Sequence, residues 1–273
     1  MIKRVIALSF LIIFLGSNFQ SKAQFTAEEV AEWAKWEEFL KRAEIIKAEK
    51  VGKGVNKPLR LYLREGDLEN SGCWKNPRGK IQGRIEGWQY EIAAYEMDKL
   101  LELNMVPPTV ERKYNGKSGS LQLWCVYEYN LLEIMEEKIP MPQEKLDHLN
   151  KTKYLARAFD SLIANADRTQ ENIHYTEDWR MILIDHSQSF RSGKEFEQHL
   201  MYGKNGIKEA QLFRQLPRAF IEKIRALDFE TIKKAAGPYL TDKEIKAVLK
   251  RKELLLEEVA EMIKEKGEDK VLY

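Results

Sequence analysis

One stretch of the chain, residues 159–190, carries acidic and amide side chains at a spacing that could do chemistry. Asp167 and Asn172 lie in one polar loop, and Asp185 follows a short apolar run further along the chain. Phosphoryl transfer from ATP needs few protein groups: a carboxylate for the acceptor hydroxyl, and an Asn and an Asp that hold Mg²⁺ against the phosphates. A loop followed by a hairpin brings such side chains to one point. The three residues are therefore candidates for a phosphotransfer site.

A second interpretation of the same stretch stays open, because Asp and Asn are ordinary turn residues. In that interpretation the segment is a polar β-hairpin whose side chains only cap turns. The apolar run Ile182-Leu183-Ile184 favours the chemical interpretation, since it would fix Asp185 at the end of a buried strand.

The N-terminal half should supply a lysine for the α- and β-phosphates and a carboxylate that positions this lysine. Lys75 ends a predicted strand, and Glu91 lies on the helix predicted to follow. We expect the two to form an ion pair. Lys80 is a rival for the lysine, and Glu96, on the same predicted helix, is a rival for the glutamate.

Two further segments could contact a nucleotide. Gly52 and Gly54 fall between two short predicted strands, where a loop could cover the phosphates, although a G-x-G alone lacks the third glycine of a kinase Gly-rich loop. Trp124 and Val126 lie in an apolar segment between the two halves, whose backbone groups could bind an adenine edge. The alternative for Trp124 is a position in the core.

The periodicity of apolar residues predicts the elements that position these side chains. An amphipathic helix is predicted over residues 26–45, short strands with tight turns over 45–75, and a helix over 88–103. Strands at 109–114 and 121–127 flank an Asn-Gly turn. From about residue 145 onward the chain is predicted to be mostly helical, apart from the hairpin that leads to Asp185.

These elements predict an α+β fold of two lobes with a cleft between them. An N-terminal helix would occupy residues 24–44. A small strand-rich N-lobe with one key helix would span residues 45–127, and a larger, mainly helical C-lobe residues 128–273.

The first residues have the pattern of an export signal. Lys3 and Arg4 precede an apolar stretch, and Ser21-Lys22-Ala23 places small residues at the two positions that a signal peptidase reads. We expect residues 1–23 to be a signal peptide and the protein to be periplasmic or secreted. An uncleaved anchor or a misassigned start is the alternative. Cleavage would remove three of the 45 basic residues, against 43 acidic ones, so the mature chain would be almost neutral.

Composition and charge exclude several classes of protein. With 44% hydrophobic and 32% charged residues, the chain is neither disordered nor collagen-like. The nearly balanced charge argues against a nucleic-acid partner, and the apolar runs are too short for a stable membrane span after signal cleavage. Cys73 and Cys125 could form a disulfide in an exported protein or serve as small apolar residues.

At the candidate site the sequence resembles a known group of atypical kinases. The group includes kinases related to type II phosphatidylinositol 4-kinases, secretory-pathway kinases of the four-jointed group, and HipA-like kinases. The shared pattern is D-x-L-I-x-N-x-D-R-x-x-x-N followed by I-D-x-x-x-x-F, which here comprises Asp160, Leu162, Ile163, Asn165, Asp167, Arg168, Asn172, Ile184, Asp185 and Phe190. Residues 91–112 resemble the N-lobe helix and following strand of bacterial members. The resemblance covers roughly residues 45–265.

The resemblance implies a role for each candidate. Asp167 would be the catalytic base, Asn172 and Asp185 the Mg²⁺ ligands, and Lys75 with Glu91 the ion pair. Two departures from common kinases are a minimal Gly-rich loop and the replacement of Phe-Gly after Asp185 by His-Ser. Neither departure removes a catalytic group.

Three functions are consistent with this sequence. The first is an ATP- and Mg²⁺-dependent phosphotransferase, with Mn²⁺ as an alternative ion, that acts on a hydroxyl of a protein, a glycan or a lipid. The acceptor itself is unidentified. The second is an exported pseudokinase that binds a nucleotide or a partner without turnover, since ATP is scarce outside the cytosol. The third is a structural exported α+β protein, which requires the motif to be coincidental.

Overall fold

The N-terminal part of the protein is built around a five-stranded antiparallel sheet. We describe residues 25–52, 58–81, 84–208 and 210–273 of a computed structural model. The sheet has the strand order β1-β2-β3-β7-β6. Its strands are β1 (Glu44–Lys50), β2 (Leu59–Glu65), β3 (Leu68–Lys75), β6 (Thr109–Tyr114) and β7 (Lys117–Leu123). Both the strand that ends at Lys75 and the turn at Asn115-Gly116 agree with the sequence predictions.

The two faces of this sheet differ because side chains alternate along a strand. Leu61, Trp74 and Leu121 project from one face and form a small core with Phe39 and Leu40 of the preceding helix. That helix, α2 (Trp33–Arg42), follows the short α1 (Ala27–Ala31). The single helix predicted over residues 26–45 is therefore two helices, which meet at Glu32. Lys75 projects from the opposite face of the sheet.

A hairpin and a helix connect β3 to β6. The hairpin strands are β4 (Arg78–Ile81) and β5 (Arg84–Gly87), and the helix is α3 (Trp88–Leu101). This helix matches the predicted one, whereas the hairpin is not among the predicted elements. Ten of the fourteen residues of α3 are buried, because the helix packs against both the sheet and the helical lobe.

The C-terminal part is mainly helical and surrounds the larger core. Its helices are α4 (Leu131–Glu136), α5 (Leu146–Ile163), α6 (Lys194–Gln198), α7 (Arg218–Ala226), α8 (Phe229–Ala236), α9 (Asp242–Lys266) and α10 (Glu268–Val271). A three-stranded sheet of β8 (Tyr129–Asn130), β9 (Ile173–Tyr175) and β10 (Met181–Leu183) lies beside them. Helix α9 begins with a capping box formed by Thr241 and Glu244.

The predicted α+β fold, with a strand-rich N-lobe and a helical C-lobe, is therefore confirmed. The domain boundaries stay predictions. The predicted signal peptide, residues 1–23, lies outside the described residues. Within the part of the chain that the structure describes, no helix is both long and apolar enough to cross a membrane.

Candidate active site

Lys75 forms the centre of a compact ion cluster between the two lobes. Its Nζ lies 2.8 Å from Oε1 of Glu91 on α3 and 3.0 Å from Oδ1 of Asp185, which follows β10. The side chains of Lys75 and Glu91 are only 12% and 2% exposed. The predicted ion pair is therefore present in the structure, and it includes Asp185 as a third member. Glu96, the rival carboxylate, instead contacts Lys99.

The backbone around Asp185 is held in an unusual conformation. Asp185 has φ of +59°, in the left-handed region that non-glycine residues rarely adopt. The amide of His186 donates to Oε2 of Glu91 at 2.9 Å, and the amide of Leu183 donates to the carbonyl of Met105 at 2.9 Å. These bonds connect both sides of Asp185 to elements of the N-lobe half. They direct its carboxylate toward Lys75 and can offset the cost of the strained backbone.

The charges of this cluster determine its ionisation. Burial would lower the pKa of Lys75, but the carboxylates of Asp185 and Glu91 raise that pKa above its ordinary value. Burial would raise the pKa of Asp185, but the Lys75 ammonium holds it below its ordinary value. Both groups are therefore charged near neutral pH. Burial also lowers the pKa of His186, so this imidazole is neutral.

A buried arginine organises the loop that carries Asp167. Arg168 bonds to both carboxylate oxygens of Asp160, at 2.9 and 3.0 Å, and its Nη1 donates to the carbonyls of Asn172 and Ile184. Asp160 also accepts from the side chain of Asn165. These bonds join the end of α5 to the loop and to the segment that leads to Asp185. Asp160 thus supports the loop through side chains, which agrees with a structural role.

Asp167 itself lies at the surface end of this loop. Its amide donates to Oδ1 of Asn165 at 3.1 Å, and its carbonyl accepts from Nδ2 of Asn172 at 3.1 Å. One carboxylate oxygen accepts from Arg84 of the β4–β5 hairpin and the other from Gln188. The structure therefore brings Asp167 and Asn172 together, as their spacing predicts.

The donor set suits a hard divalent cation. Asn172 uses its amide nitrogen to bond to the Asp167 carbonyl, so its oxygen Oδ1 is the atom left for a cation. Asp185 contributes an ionised carboxylate that is 32% exposed. Carbonyl and carboxylate oxygens are the ligands that Mg²⁺ and Mn²⁺ prefer. These two residues could therefore hold such an ion beside Lys75.

Three of the four predicted nucleotide-contact residues are among the described residues. Gly52 lies after β1 with φ of +59°, at the start of the β1–β2 connection, whereas Gly54 lies outside the described residues. Trp124 stacks under the guanidinium of Arg60, 4.2 Å from the ring centroid. Val126 is 88% exposed. The nucleotide roles of these residues stay predictions.

The segment around Trp124 and Val126 connects the lobes. The amide of Trp124 donates to the carbonyl of Ser71 on β3, and the amide of Glu128 donates to that of Tyr175 on β9. Residues 125–127 thus span from the N-lobe sheet to the C-lobe sheet. Cys73 and Cys125 are both free thiols.

Sequence reasoning missed three side chains that contact the site. Arg84, Glu86 and Gln188 belong to the unpredicted hairpin and to the segment after Asp185. The signal that could have revealed the hairpin is the alternation of apolar and charged residues from Arg78 to Gly87, interrupted by a central glycine. No comparable signal distinguishes Gln188 from an ordinary surface glutamine.

Comparisons with known proteins agree with this description. No family model and no curated protein matches the chain. Among solved structures, hydra Fam20 with a sugar superposes with a TM-score of 0.66 at 19% identity, over 93% of this chain and 95% of that one. The Golgi casein kinase with Mn and ADP bound gives a TM-score of 0.63 at 13% identity, over 92% and 80% of the two chains. The Helicobacter pylori proinflammatory kinase CtkA gives 0.52 at 12% identity, over 84% and 96%. The protein therefore shares its fold with these solved structures, two of which are named as kinases.

Proposed function

We propose that the protein is a kinase that transfers the γ-phosphoryl group of ATP to a hydroxyl acceptor in an Mg²⁺- or Mn²⁺-dependent reaction. The observation that carries the proposal is the Lys75 cluster, in which one buried ammonium contacts both Glu91 and Asp185. A structural protein has no need to gather three ionisable groups at one point with two of them buried, since burying such groups carries a desolvation cost. The fold shared with kinases supports the same conclusion.

The nucleotide would lie between the β1–β2 connection and the ion cluster. Lys75 would bind the α- and β-phosphates while Glu91 keeps its ammonium in place. The loop containing Gly52 would cover the phosphates. The backbone of the 124–128 segment would bind the adenine edge, beside Trp124 and Val126.

Asn172 and Asp185 would hold the divalent cation, which when bound neutralises charge on the transferring phosphoryl group. The Golgi casein kinase, which shares the fold, has been solved with Mn and ADP. That similarity supports Mn²⁺ as an alternative to Mg²⁺ here.

Asp167 would act on the acceptor. Its carboxylate accepts the hydroxyl proton while the acceptor oxygen forms a bond to the γ-phosphorus. The bond between the γ-phosphorus and the oxygen that bridges the β- and γ-phosphates breaks, and ADP leaves with that bonding pair. Arg168 and Asn165 hold the loop, so that Asp167 needs little rearrangement for this role.

The acceptor is a protein Ser or Thr side chain or a glycan hydroxyl. The solved neighbours include one named for casein and one solved with a sugar, which supports both classes. The nearly balanced charge of the chain disfavours a phosphoinositide head group on an anionic membrane. Export through the N-terminal segment is part of this proposal, and the Golgi neighbour supports it.

The test combines nucleotide binding with turnover. Mg·ATP at about 100 times Kd should stabilise the protein by about 2.7 kcal/mol in a thermal-shift experiment. Transfer from labelled ATP would be measured on a panel of dephosphorylated casein and simple glycosides. Asp185→Ala should abolish the shift and the transfer, whereas Asp147→Ala, a change at an exposed position on α5, should alter neither.

Each alternative function predicts a different result. Nucleotide binding without ADP formation on any acceptor would favour the pseudokinase. A folded wild-type protein that shows no nucleotide shift would contradict the kinase and the nucleotide-binding pseudokinase, and would leave a partner-binding pseudokinase or a structural protein.

A further inference from the structure

The two carboxylate oxygens of Asp167 have partners of opposite character. Oδ1 accepts from Nη1 of Arg84 at 3.1 Å, and the Arg84 side chain is 63% exposed. Oδ2 accepts from Nε2 of Gln188 at 3.0 Å, and Gln188 is only 6% exposed. An exposed ion pair is weak and is easily replaced by other partners. A hydrogen bond from a buried side-chain amide is costly to break, because its donor would be left without a partner. Oδ1 is therefore the oxygen that an acceptor hydroxyl can reach, after Arg84 moves aside.

The orientation of the Gln188 amide is fixed by its neighbours. Nε2 also donates to Oε1 of Glu86 at 3.3 Å, while Oε1 of Gln188 accepts from Nη2 of Arg191 at 3.4 Å. Carboxylates only accept and a guanidinium only donates, so the reversed amide would lose all three contacts. A glutamine fits this position, whereas a glutamate of the same shape would oppose two carboxylates.

Glu86 connects this arrangement to the N-lobe. It lies on β5, is 6% exposed, and accepts from Oγ of Ser187 at 3.3 Å. The amide of the next residue, Gly87, donates to the carbonyl of Ser187 at 2.9 Å. The hairpin is thus bonded to the segment that carries Gln188. The bonds run from Glu86 through Gln188 to Asp167.

We propose that Gln188 is a positioning residue for Asp167: it holds Oδ2 so that Oδ1 faces the acceptor, and Glu86 anchors Gln188 in turn. This inference rests on the proposed kinase function. It assigns to the β4–β5 hairpin a part in orienting the catalytic carboxylate, in addition to joining β3 to α3. Gln188 itself touches no reacting atom.

Two variants distinguish a role of Gln188 in orienting Asp167 from a role in merely joining the hairpin to the segment after Asp185. Gln188→Glu places a third carboxylate between Asp167 and Glu86, and we expect kcat to fall by about 10²-fold while KM for Mg·ATP stays within about twofold. The double variant Glu86→Gln with Gln188→Glu restores the bond between positions 86 and 188 with donor and acceptor exchanged. We expect this double variant to regain most of the melting temperature that Gln188→Glu loses. Its kcat should stay low, because Asp167 still faces a carboxylate at position 188.

Controls keep the result interpretable. Gln198→Glu makes the same change at an exposed position on α6 and should leave kcat unchanged. Should Gln188→Glu fail to fold, Gln188→Leu removes the donor without adding charge, and the same loss of kcat at constant KM is expected. All rates are measured as ADP release with the acceptor panel described above.

Recovery of kcat in the double variant would overturn the positioning role, because the hydrogen bond between positions 86 and 188 would then be sufficient for full activity. An unchanged kcat in folded Gln188→Glu or Gln188→Leu would overturn it as well. Both outcomes leave the proposed function intact, since the wild type is active in them. A wild-type protein without ADP formation or nucleotide shift would instead overturn the function and this inference together.

Discussion

Under the proposed function, Lys75, Glu91 and Asp185 form the phosphate side of the candidate site, and Asp167 with Arg84 forms the acceptor side. The two sides are built differently. On the phosphate side, Lys75 and Glu91 are 12% and 2% exposed, and the Lys75 ammonium contacts the carboxylates of both Glu91 and Asp185. On the acceptor side, Asp167 is 29% exposed and pairs with an arginine that is 63% exposed. The first side is preorganised, and the second retains a partner that a substrate can replace. Substitutions on the two sides should therefore fail in different ways.

The largest effect is expected from Lys75→Met. Removal of the ammonium takes away the phosphate ligand and leaves Glu91 and Asp185 with uncompensated charge. We expect kcat/KM to fall by about 10²–10³-fold, comparable to the loss of one preorganised electrostatic partner, and the Mg·ATP thermal shift to disappear. Lys80→Met, on β4, is the matched control because Lys80 is the rival in the sequence. Equal losses in both variants would contradict the assignment of Lys75.

The loop scaffold should show the next largest effect, on stability. Asp160→Asn leaves the buried Arg168 without its carboxylate, and breaking one partner of a buried pair costs about 3–5 kcal/mol. We expect that loss in the free energy of unfolding, measured with urea. Asp147→Asn disrupts an exposed pair with Lys151 and should cost less than about 1 kcal/mol. Similar values for the two variants would show that Arg168 is hydrated after all.

The same contrast explains what the sequence could predict. Asp167, Asn172 and Asp185 are recognisable because their types and spacing form one local pattern, and apolar periodicity predicts α3 and the strand that ends at Lys75. Lys75 and Glu91 are only 16 residues apart, with the β4–β5 hairpin between them. These elements were accessible because each depends on neighbours in sequence.

Arg84 and Gln188 depend instead on contacts between distant segments. Arg84 and Asp167 are separated by 83 residues, and Glu86 and Gln188 by 102. No local pattern encodes such a contact, because the side chains meet only after the lobes have packed. The break between α1 and α2 at Glu32 escapes the sequence prediction for a different reason, because the apolar periodicity continues through both helices.

A smaller, pH-dependent effect on stability is expected at Asp98, which lies on α3, the helix that also carries Glu91. Burial raises the pKa of this carboxyl to about 8, although Met105 and Val106 donate their amides to Oδ1. Its Oδ2 has no hydrogen-bond partner among the described residues. The unfolded pKa is about 3.9, so the folded state binds the proton more tightly, and stability falls as pH rises from about 4 to about 8.

Asp98→Asn should remove this dependence. The variant cannot ionise, so its free energy of unfolding relative to wild type should improve by about 1.4 kcal/mol between pH 7 and pH 9. Urea unfolding at the two pH values measures the change. Asp147→Asn, at an exposed position, should show no such improvement. An equal pH dependence in wild type and Asp98→Asn would mean that the carboxyl is ionised throughout, and that the region behind α3 is less dry than its burial indicates.

The smallest effect is expected from Arg84→Gln. This variant tests the difference between the phosphate side and the acceptor side most directly, because it changes only the acceptor side. The exposed pair with Asp167 contributes at most about 1 kcal/mol to stability, so the melting temperature should hardly change. The Mg·ATP shift should be the same as in wild type, because Lys75 and Asp185 are untouched. Only KM for the acceptor and the rate at saturating ATP should change, by a few fold, since the variant alters what the acceptor must displace.

Arg78→Gln is the matched control for this variant. Arg78 lies on the same hairpin but packs over Trp88, with its guanidinium carbon 5.6 Å from the ring centroid, so its loss should leave acceptor kinetics unchanged. If Arg84→Gln weakened the Mg·ATP shift as strongly as acceptor use, Arg84 would belong to the phosphate side. The charges of Arg84 and Asp167 would then affect nucleotide binding at Lys75, and the two sides could not be treated as independent.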